Sequence, residues 1–301
     1  MGYIFTETES AKIIGRFGLV FHEKVKGDIG FCCEKWKLEI LSLVDYFSVN
    51  CIFFCRSEIF GDAVLKIGRP GAEVRTEVAM LEEYDGGRFC RIYDHDLDNG
   101  AILEERLMPG SRLREVRSLE KRLSVFADVY NGLHIAPKDI KAYPSYAQWV
   151  GRITQYMSKM TDHMELYLLM KKAQGICGSL CKEYNKSMLL HGDLHHDNIL
   201  LSANGAYKII DPKGVVGDPV FDIPRFILNE FYGEDKVLYD EYRLRVSTMV
   251  DFFEKNLRVP KDVMRQCLFV ETVMANCWSV ESNEPADMNE VRCAEALMEG
   301  D

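Results

Sequence analysis

The chain has 301 residues, which is enough for one large domain or two lobes and too many for a peptide-sized module. Hydrophobic residues make up 47% of it and charged residues 28%, a globular composition that excludes a largely disordered chain. The net charge of -10 disfavours binding to nucleic acid or to an anionic membrane surface, and it favours cationic small molecules or metal-bound nucleotides as ligands.

The first third of the chain predicts a small antiparallel sheet with one helix. Strand-like runs at residues 36–44, 51–56 and 63–67 are separated by turn-prone residues, as in a meander. From Gly71 the apolar residues are spaced for one face of a helix, and two more strands are predicted at 90–93 and 101–105. Met108, Pro109 and Gly110 then interrupt regular structure. We therefore predict a first lobe of residues 1–107 and a second lobe of residues 108–301.

The second lobe is predicted to be mainly helical. Apolar residues recur at helical spacing over 119–133, and a longer helical stretch covers 146–186. Strands are predicted at 199–201 and 207–210 around Asn204-Gly205, a dipeptide that suits the positive backbone angles of a tight hairpin turn. Helices follow from Phe221 to the end. Residues 226–301 contain sixteen acids and eight bases, which predicts an acidic surface, although such faces are often merely solvated.

The ten cysteines include no C-x-x-C pair, and we interpret them as reduced core thiols of a cytoplasmic protein. Cys177 and Cys181, one helical turn apart, suit a metal, but a matching second pair is missing. No apolar run approaches the roughly 20 residues that span a bilayer. The opening Met1-Gly2 fits the loose myristoylation pattern without a polybasic second signal. We expect a monomer or weak homodimer without nucleic-acid or membrane partners.

The residues with the clearest chemical meaning lie between 191 and 211. Asp193 precedes Asn198 by five residues, and the predicted hairpin then delivers a second acid, Asp211, to the same end as Asn198. Phosphoryl transfer from ATP needs a carboxylate that orients the acceptor hydroxyl and oxygen ligands that hold Mg²⁺ against the phosphates. Asp193, Asn198 and Asp211 supply this set.

Two other interpretations use the same segment. His191, Asp193, His195, His196 and Asp197 have the side-chain types of a metallohydrolase cluster, since imidazole and carboxylate both bind transition metals. That interpretation leaves Asn198, the hairpin and Asp211 unexplained. The segment is otherwise a polar loop whose histidines and acids satisfy one another.

Residues 189–223 resemble the catalytic core of the aminoglycoside phosphotransferases, most closely the streptomycin 6-kinase and hydroxyurea phosphotransferase branch. They carry H-G-D-L-H-x-x-N-I-L followed by I-D-P-x-G-x-x-G-D-P-x-x-D. The likeness extends weakly through AVLKIG, TEVAML, LEERLMPG and CWSVES. It implies an α+β, bilobal protein-kinase-like fold with a small antiparallel-sheet N-terminal lobe and a larger, mainly helical C-terminal lobe. It also implies ATP or GTP and Mg²⁺ as cofactors.

The resemblance assigns roles to the residues of the second lobe. Asp193 is similar to the catalytic acid that orients the acceptor hydroxyl, and Asn198 and Asp211 are similar to the Mg²⁺ ligands. His191 would be a structural member of the catalytic loop. Asp222 matches the aspartate that anchors the backbone of that loop.

The nucleotide site is implied by the first lobe. Lys66 is similar to the lysine that binds the ATP phosphates, with Glu77 as its helix partner, although Glu73 lies one turn away. Residues 45–50 contain no glycine, unlike many kinase phosphate loops. The resemblance to aminoglycoside kinases, which have a serine-bearing loop here, implies that Ser48 would contact phosphate. Backbone groups from Arg106 to Met108 would hold the adenine.

The expected acceptor is a cationic aminoglycoside of the streptomycin type, in which case the reaction confers antibiotic resistance. Trp278 and Glu281 resemble residues near the substrate end of the family's site, and an aromatic ring with a carboxylate suits a guanidinium group. Hydroxyurea or an endogenous small hydroxylated metabolite is the alternative acceptor. A nucleotide-binding pseudokinase is the non-enzymatic alternative, although it would not need Asp193.

Overall fold

Two units make up the chain in the computed structural model, which describes residues 3–45, 49–234 and 237–300. The first unit contains Met1–Ser111 and a returning segment, Leu201–Ile210. The second contains Arg112–Leu200 and Asp211–Asp301. The returning segment belongs to the first unit because Ile209 donates to the carbonyl of Arg88 at 3.0 Å and accepts from the amide of Cys90 at 2.9 Å.

The first unit is built on a five-stranded antiparallel sheet with the order β1-β2-β3-β5-β4. Its strands are β1 (Leu38–Leu43), β2 (Cys51–Ser57), β3 (Gly61–Ile67), β4 (Ile92–Asp96) and β5 (Ala101–Glu105). Alternate residues of β2 are buried, so one face of the sheet covers a core. The predicted meander is confirmed. The strand predicted at 90–93 begins later, at Ile92, because Cys90 pairs with Ile209 instead.

The described residues of the first unit also form the helices α1 (Glu7–Phe17), α2 (Leu19–Trp36) and α3 (Ala72–Tyr84). The sequence analysis predicted neither α1 nor α2. A capping box at α1, in which Thr6 and Glu9 bond each other's backbone amides, starts this helix. The buried side chains of α2 recur every three or four residues and join the core of the sheet; they are Phe21, Val25, Ile29, Cys32 and Trp36.

The second unit is mainly helical, as predicted. Its helices are α4 (Leu119–Tyr130), α5 (Tyr146–Met157), α6 (Met164–Glu183), α7 (Pro224–Asn229), α8 (Tyr239–Leu257), α9 (Lys261–Glu281) and α10 (Met288–Glu299). Two short strands, β6 (Met188–Leu190) and β9 (Val215–Gly217), pair antiparallel. Helix α9 lies at the centre, because α5, α6, α7, α8 and α10 all pack on it.

The helical stretch predicted over 146–186 consists of two helices, α5 and α6, which a short 3₁₀ turn, Thr161–His163, separates; the sequence analysis did not predict this break. One continuous helix of that length would extend about 60 Å. The break allows α5 and α6 to pack against each other and allows both to contact α9. Burial of two apolar faces on one central helix therefore overrides the local helical preference.

The predicted hairpin is present as β7 (Ile199–Leu201) and β8 (Tyr207–Ile209), which form a two-stranded sheet. Its turn is longer than the predicted tight turn, because the amide of Ser202 donates to the carbonyl of Ala206 at 2.8 Å. Gly205 alone of the Asn-Gly pair has a positive φ, +81°. The side chain of Asn204 accepts from Ser202 and Ala206 and thereby closes the loop. Within the described ranges, no helix is long and apolar enough to cross a membrane.

Candidate active site

The loop after β6 carries Asp193, and a buried carboxylate holds its backbone. Asp222 accepts the backbone N–H groups of His191 and Gly192, both at 2.8 Å. The Nε2 atom of His134 lies 3.0 Å from the same carboxylate. The backbone N–H of Asp193 in turn donates to Nδ1 of His191 at 3.1 Å. These bonds satisfy a carboxylate that is only 1% exposed and fix the backbone on which the Asp193 side chain stands.

The carboxylate of Asp193 is itself held by a cation. Nε of Arg225 donates to Oδ1 at 2.7 Å, and Nε2 of His195 lies 3.6 Å from Oδ2. Burial alone would raise the pKa of Asp193, but the positive charge of Arg225, the nearby His195 and Lys213 together lower that pKa well below its usual range. Asp193 is therefore ionised at neutral pH, where it can accept a hydrogen bond from a hydroxyl.

The two predicted metal ligands both lie in the second unit. Nδ2 of Asn198 donates to the backbone carbonyl of Asp193 at 2.9 Å, which orients the amide on the loop that carries Asp193. Asp211 has a φ of +59°, and its Oδ2 atom accepts from Nζ of Lys213 at 2.9 Å. The backbone N–H of Lys213 donates to the carbonyl of His191 at 2.7 Å. An amide oxygen and a carboxylate are donors that suit Mg²⁺, so these residues fit the implied ion.

The other residues of the metallohydrolase interpretation have partners of their own. His196 stacks on Phe226 with ring centroids 3.9 Å apart, and its Nε2 atom lies 2.7 Å from Oε1 of Glu230. Asp197 accepts from Nε of Arg114 at 2.8 and 3.0 Å. In the part of the chain that the structure describes, no three His, Cys, Asp or Glu side chains gather to hold a metal ion.

The lysine of the first unit lies between two carboxylates. Lys66 on β3 is 4% exposed, and its Nζ atom bonds Oε1 of Glu77 on α3. Oε1 of Glu104 on β5 is 3.8 Å from the same ammonium. Glu73 is exposed, so Glu77 is the helix residue that pairs with Lys66. Sequence reasoning missed Glu104, which is one of two adjacent glutamates at the end of the strand AILEE and is distinguished from Glu105 by its contact with Lys66.

The remaining predicted nucleotide residues follow β5 or precede β2. The guanidinium of Arg106 lies 3.9 Å from the ring centroid of Phe54 on β2. The Met108 side chain is 47% exposed. Ser48 lies outside the described residues. The structure therefore brings Lys66 and Glu77 together and leaves the adenine and phosphate contacts of Arg106, Met108 and Ser48 as predictions.

The predicted substrate residues lie on the last turns of α9. The ring of Trp278 meets that of Trp149 on α5 edge to face, with centroids 5.7 Å apart, and the guanidinium of Arg225 lies 5.6 Å from the Trp278 ring. Trp278 is thus linked to Asp193 through Arg225. Glu281 forms a two-point ion pair with Arg152 at 2.6 and 2.8 Å, so its charge is already balanced.

Sequence reasoning missed three of these neighbours: Trp149, Arg152 and Arg225. Trp149 and Arg152 are three residues apart on α5, as Trp278 and Glu281 are on α9. The same spacing of an aromatic and a charged residue on both helices was a signal that these two helix faces meet. The contact between α5 and α9 was not predicted, because the sequence analysis did not divide α5 from α6.

Residues 55–283 match the model of the aminoglycoside/hydroxyurea antibiotic resistance kinases. The chain belongs to this family. It is 27% identical to a streptomycin 6-kinase of Streptomyces griseus over 54% of this chain and 53% of that protein. It is 24% identical to a hydroxyurea phosphotransferase of Kitasatospora aureofaciens over 94% of this chain and 82% of that protein. The match thus spans only about half the length of the streptomycin 6-kinase.

Solved structures confirm the predicted fold class. The choline kinase LicA from Streptococcus pneumoniae superposes with a TM-score of 0.62 at 15% identity, covering 93% of this chain and all of that one. A thermostable mutant of aminoglycoside phosphotransferase APH(4)-Ia, in a ternary complex with ADP and hygromycin B, superposes with a TM-score of 0.61 at 13% identity. That match covers 90% of this chain and 96% of the other. The chain therefore has the α+β, protein-kinase-like fold.

Proposed function

We propose that this family member is an ATP- and Mg²⁺-dependent O-phosphotransferase that phosphorylates a hydroxyl of an aminoglycoside antibiotic of the streptomycin type. The observation that carries the proposal is the placement of Asp193. This carboxylate accepts a hydrogen bond from Arg225, stands on a loop whose backbone Asp222 fixes, and lies five residues before Asn198. A pseudokinase would not need a carboxylate held in this way, so its retention supports catalysis.

The reaction is an in-line displacement at phosphorus. The acceptor oxygen forms a bond to the terminal phosphorus of ATP while the bond from that phosphorus to the bridging oxygen breaks, and its electron pair leaves with ADP. Asp193 orients the hydroxyl and receives its proton as the new bond forms, when the oxygen becomes much more acidic. A weak base therefore suffices, and alignment and charge neutralisation supply most of the rate.

The phosphate groups need positive charge. Lys66, whose ammonium Glu77 and Glu104 orient, would bind them in the first unit. Asn198 and Asp211 would hold Mg²⁺, which supplies neutralisation of the phosphate charge when bound. The backbone of residues 106–108 would hold the base of ATP or GTP, and Ser48 would contact phosphate.

The choice of acceptor rests on Trp278 and Glu281. The ring of Trp278 already lies 5.6 Å from the guanidinium of Arg225, and the same ring chemistry suits a guanidinium group such as those of streptomycin. Glu281 would release Arg152 to bind a second cationic group of the acceptor. Hydroxyurea is the second candidate, because the hydroxyurea phosphotransferase match runs along 94% of the chain. The existing pair of Glu281 with Arg152 also favours a neutral acceptor that needs no free carboxylate.

A panel of acceptors separates these candidates. Purified protein with Mg²⁺ and ATP is offered streptomycin, an aminoglycoside without guanidinium groups, hydroxyurea and a simple sugar, and each product is identified by mass spectrometry. We expect transfer to streptomycin and little to the guanidinium-free aminoglycoside. Transfer to hydroxyurea alone would show that the acceptor is hydroxyurea and not an aminoglycoside, while the proposed phosphotransfer reaction would stand. Absence of transfer to every member, despite ATP binding, would contradict the assignment to antibiotic acceptors.

A further inference from the structure

The segment that ends in Arg225 holds the catalytic loop at two separate points. Asp222 binds the backbone N–H groups of His191 and Gly192. Three residues later Arg225, the second residue of α7, binds the side chain of Asp193 at 2.7 Å. One short stretch of chain therefore sets both the path of the loop and the direction of its carboxylate.

A second carboxylate lies near the same nitrogen of Arg225. The Nε atom, which donates to Asp193, is also 3.4 Å from Oε1 of Glu271, an ion-pair distance, and Glu271 is 2% exposed on α9. The hydroxyl of Tyr146 on α5 donates to the other oxygen of Glu271 at 2.9 Å. The guanidinium also lies 5.6 Å from the ring of Trp278. Two carboxylates and an aromatic ring therefore leave the guanidinium little freedom to turn.

The contact with Arg225 makes the two oxygens of Asp193 unequal. Oδ1 is occupied by Arg225, whereas Oδ2 is 3.6 Å from His195, beyond hydrogen-bond distance. Without the bond to Oδ1, the carboxylate would lose its shortest side-chain contact and keep only the longer one to His195. A lysine would supply charge at this position, but its rotating ammonium lacks the planar geometry that fixes a guanidinium.

We propose that Arg225 is a positioning residue for phosphoryl transfer, which binds Oδ1 of Asp193 so that Oδ2 faces the acceptor hydroxyl. The inference rests on the proposed function. Small errors in the placement of a reacting group are costly, and a displacement of about 1 Å can lower the rate roughly 100-fold. Loss of Arg225 therefore lowers kcat and leaves nucleotide binding largely intact.

The first test compares Arg225→Met and Arg225→Lys with wild type, in steady-state kinetics with the best acceptor of the panel. We expect kcat to fall roughly 100-fold in the methionine variant, with the KM for ATP changed by less than about twofold, and we expect the lysine variant to recover part of kcat. Arg292→Met is the matched control, because Arg292 forms an exposed ion pair with Glu165. This control should retain wild-type kinetics.

A second variant separates positioning from folding. Arg225→Met leaves the buried Glu271 without its cation and should lower Tm, whereas Arg225→Met combined with Glu271→Gln removes the stranded charge and keeps an acceptor for Tyr146. If Arg225 positions Asp193, the double variant regains Tm but not kcat. Recovery of wild-type kcat in the double variant, or undiminished kcat in Arg225→Met, would overturn the inference. A wild-type protein without transfer to any acceptor would instead overturn the proposed function.

Discussion

One carboxylate, that of Glu230, stabilises the turn that follows Asp193. Glu230 is bound at two points by Arg122, both at 2.7 Å, and its Oε1 atom lies 2.7 Å from Nε2 of His196. Burial by itself would raise the pKa of Glu230, but the hydrogen bonds from His196 and Arg122 lower it to about 2. Since His196 belongs to the 3₁₀ turn that ends at Asn198, this carboxylate stabilises the turn that presents the amide.

The lowered pKa of Glu230 predicts an acid-dependent loss of stability. A group whose pKa is depressed by folding contributes stability above its unfolded pKa, and that contribution is lost as pH falls through the folded pKa. For Glu230 the window runs from about pH 5 down to about pH 2, with a contribution on the order of 2–3 kcal/mol. We expect Glu230→Gln to be less stable than wild type at pH 7, by urea unfolding, with a difference that shrinks towards pH 3. A constant difference would contradict this role.

Position 192 needs a glycine because the ring of Trp149 lies against the loop there. The φ of Gly192 is +78°, and a Cβ atom there would lie 2.8 Å from the ring of Trp149. Gly192→Ala must therefore shift Trp149 or the loop, and we expect kcat to fall at least tenfold together with a lower Tm. Gly178→Ala is the matched control, since its Cβ meets nothing within 4 Å inside α6 and should raise stability by up to about 1 kcal/mol. Equal behaviour of the two variants would refute the steric argument.

The candidate site residues that could be predicted from the sequence are those that lie at a recognisable spacing along the chain. Asp193, Asn198 and Asp211 stand out because a loop and a hairpin separate them by few residues. Arg225 and Glu104 could not be found in the same way, because each is defined by a partner on another element, Asp193 and Lys66 respectively. The choice of Glu77 over Glu73 needed the orientation of α3, which sequence spacing alone left open.

At the scale of whole elements, the two N-terminal helices supply much of the core of the first unit. Val25 on α2 is fully buried and packs in the same cluster as Phe53 and Leu65 of the sheet. Val20, on the same helix, is 87% exposed. The same substitution, Val→Asp, would therefore place a carboxylate in the core at position 25 and in solvent at position 20.

Val25→Asp is expected to destabilise the first unit by more than about 3 kcal/mol, because it buries a carboxylate without a partner. Val20→Asp, an acid in the first turn of the helix, should stay within about 0.5 kcal/mol of wild type. Urea unfolding followed by circular dichroism measures both. Equal losses in the two variants would show that α2 does not pack on the sheet as described.

Element prediction failed for two different reasons. The capping box of Thr6 and Glu9 was a sequence signal for α1 that went unused. The break between α5 and α6 has no comparable signal, because both segments have helical periodicity and only their shared contact with α9 requires the chain to fold back. The strands of the first unit were predictable because apolar runs and turn residues alternate along that part of the chain.

At the scale of the whole molecule, the residues that we propose for phosphoryl transfer belong to both units. The first supplies Lys66 with its two carboxylates, and the second supplies Asp193, Asn198 and Asp211. The central claim is therefore that Asp193 acts in transfer and contributes nothing to nucleotide affinity.

The most direct measurement of that claim is the rate of phosphate transfer from ATP by wild type and by Asp193→Asn, with the Kd for Mg²⁺-ATP of each protein measured by calorimetry. The substitution keeps the size of the side chain and an oxygen for Arg225 while it removes the charge that orients and deprotonates the acceptor. We predict a fall in kcat of roughly 100- to 10,000-fold with an unchanged Kd. Turnover by Asp193→Asn near the wild-type rate would contradict the account.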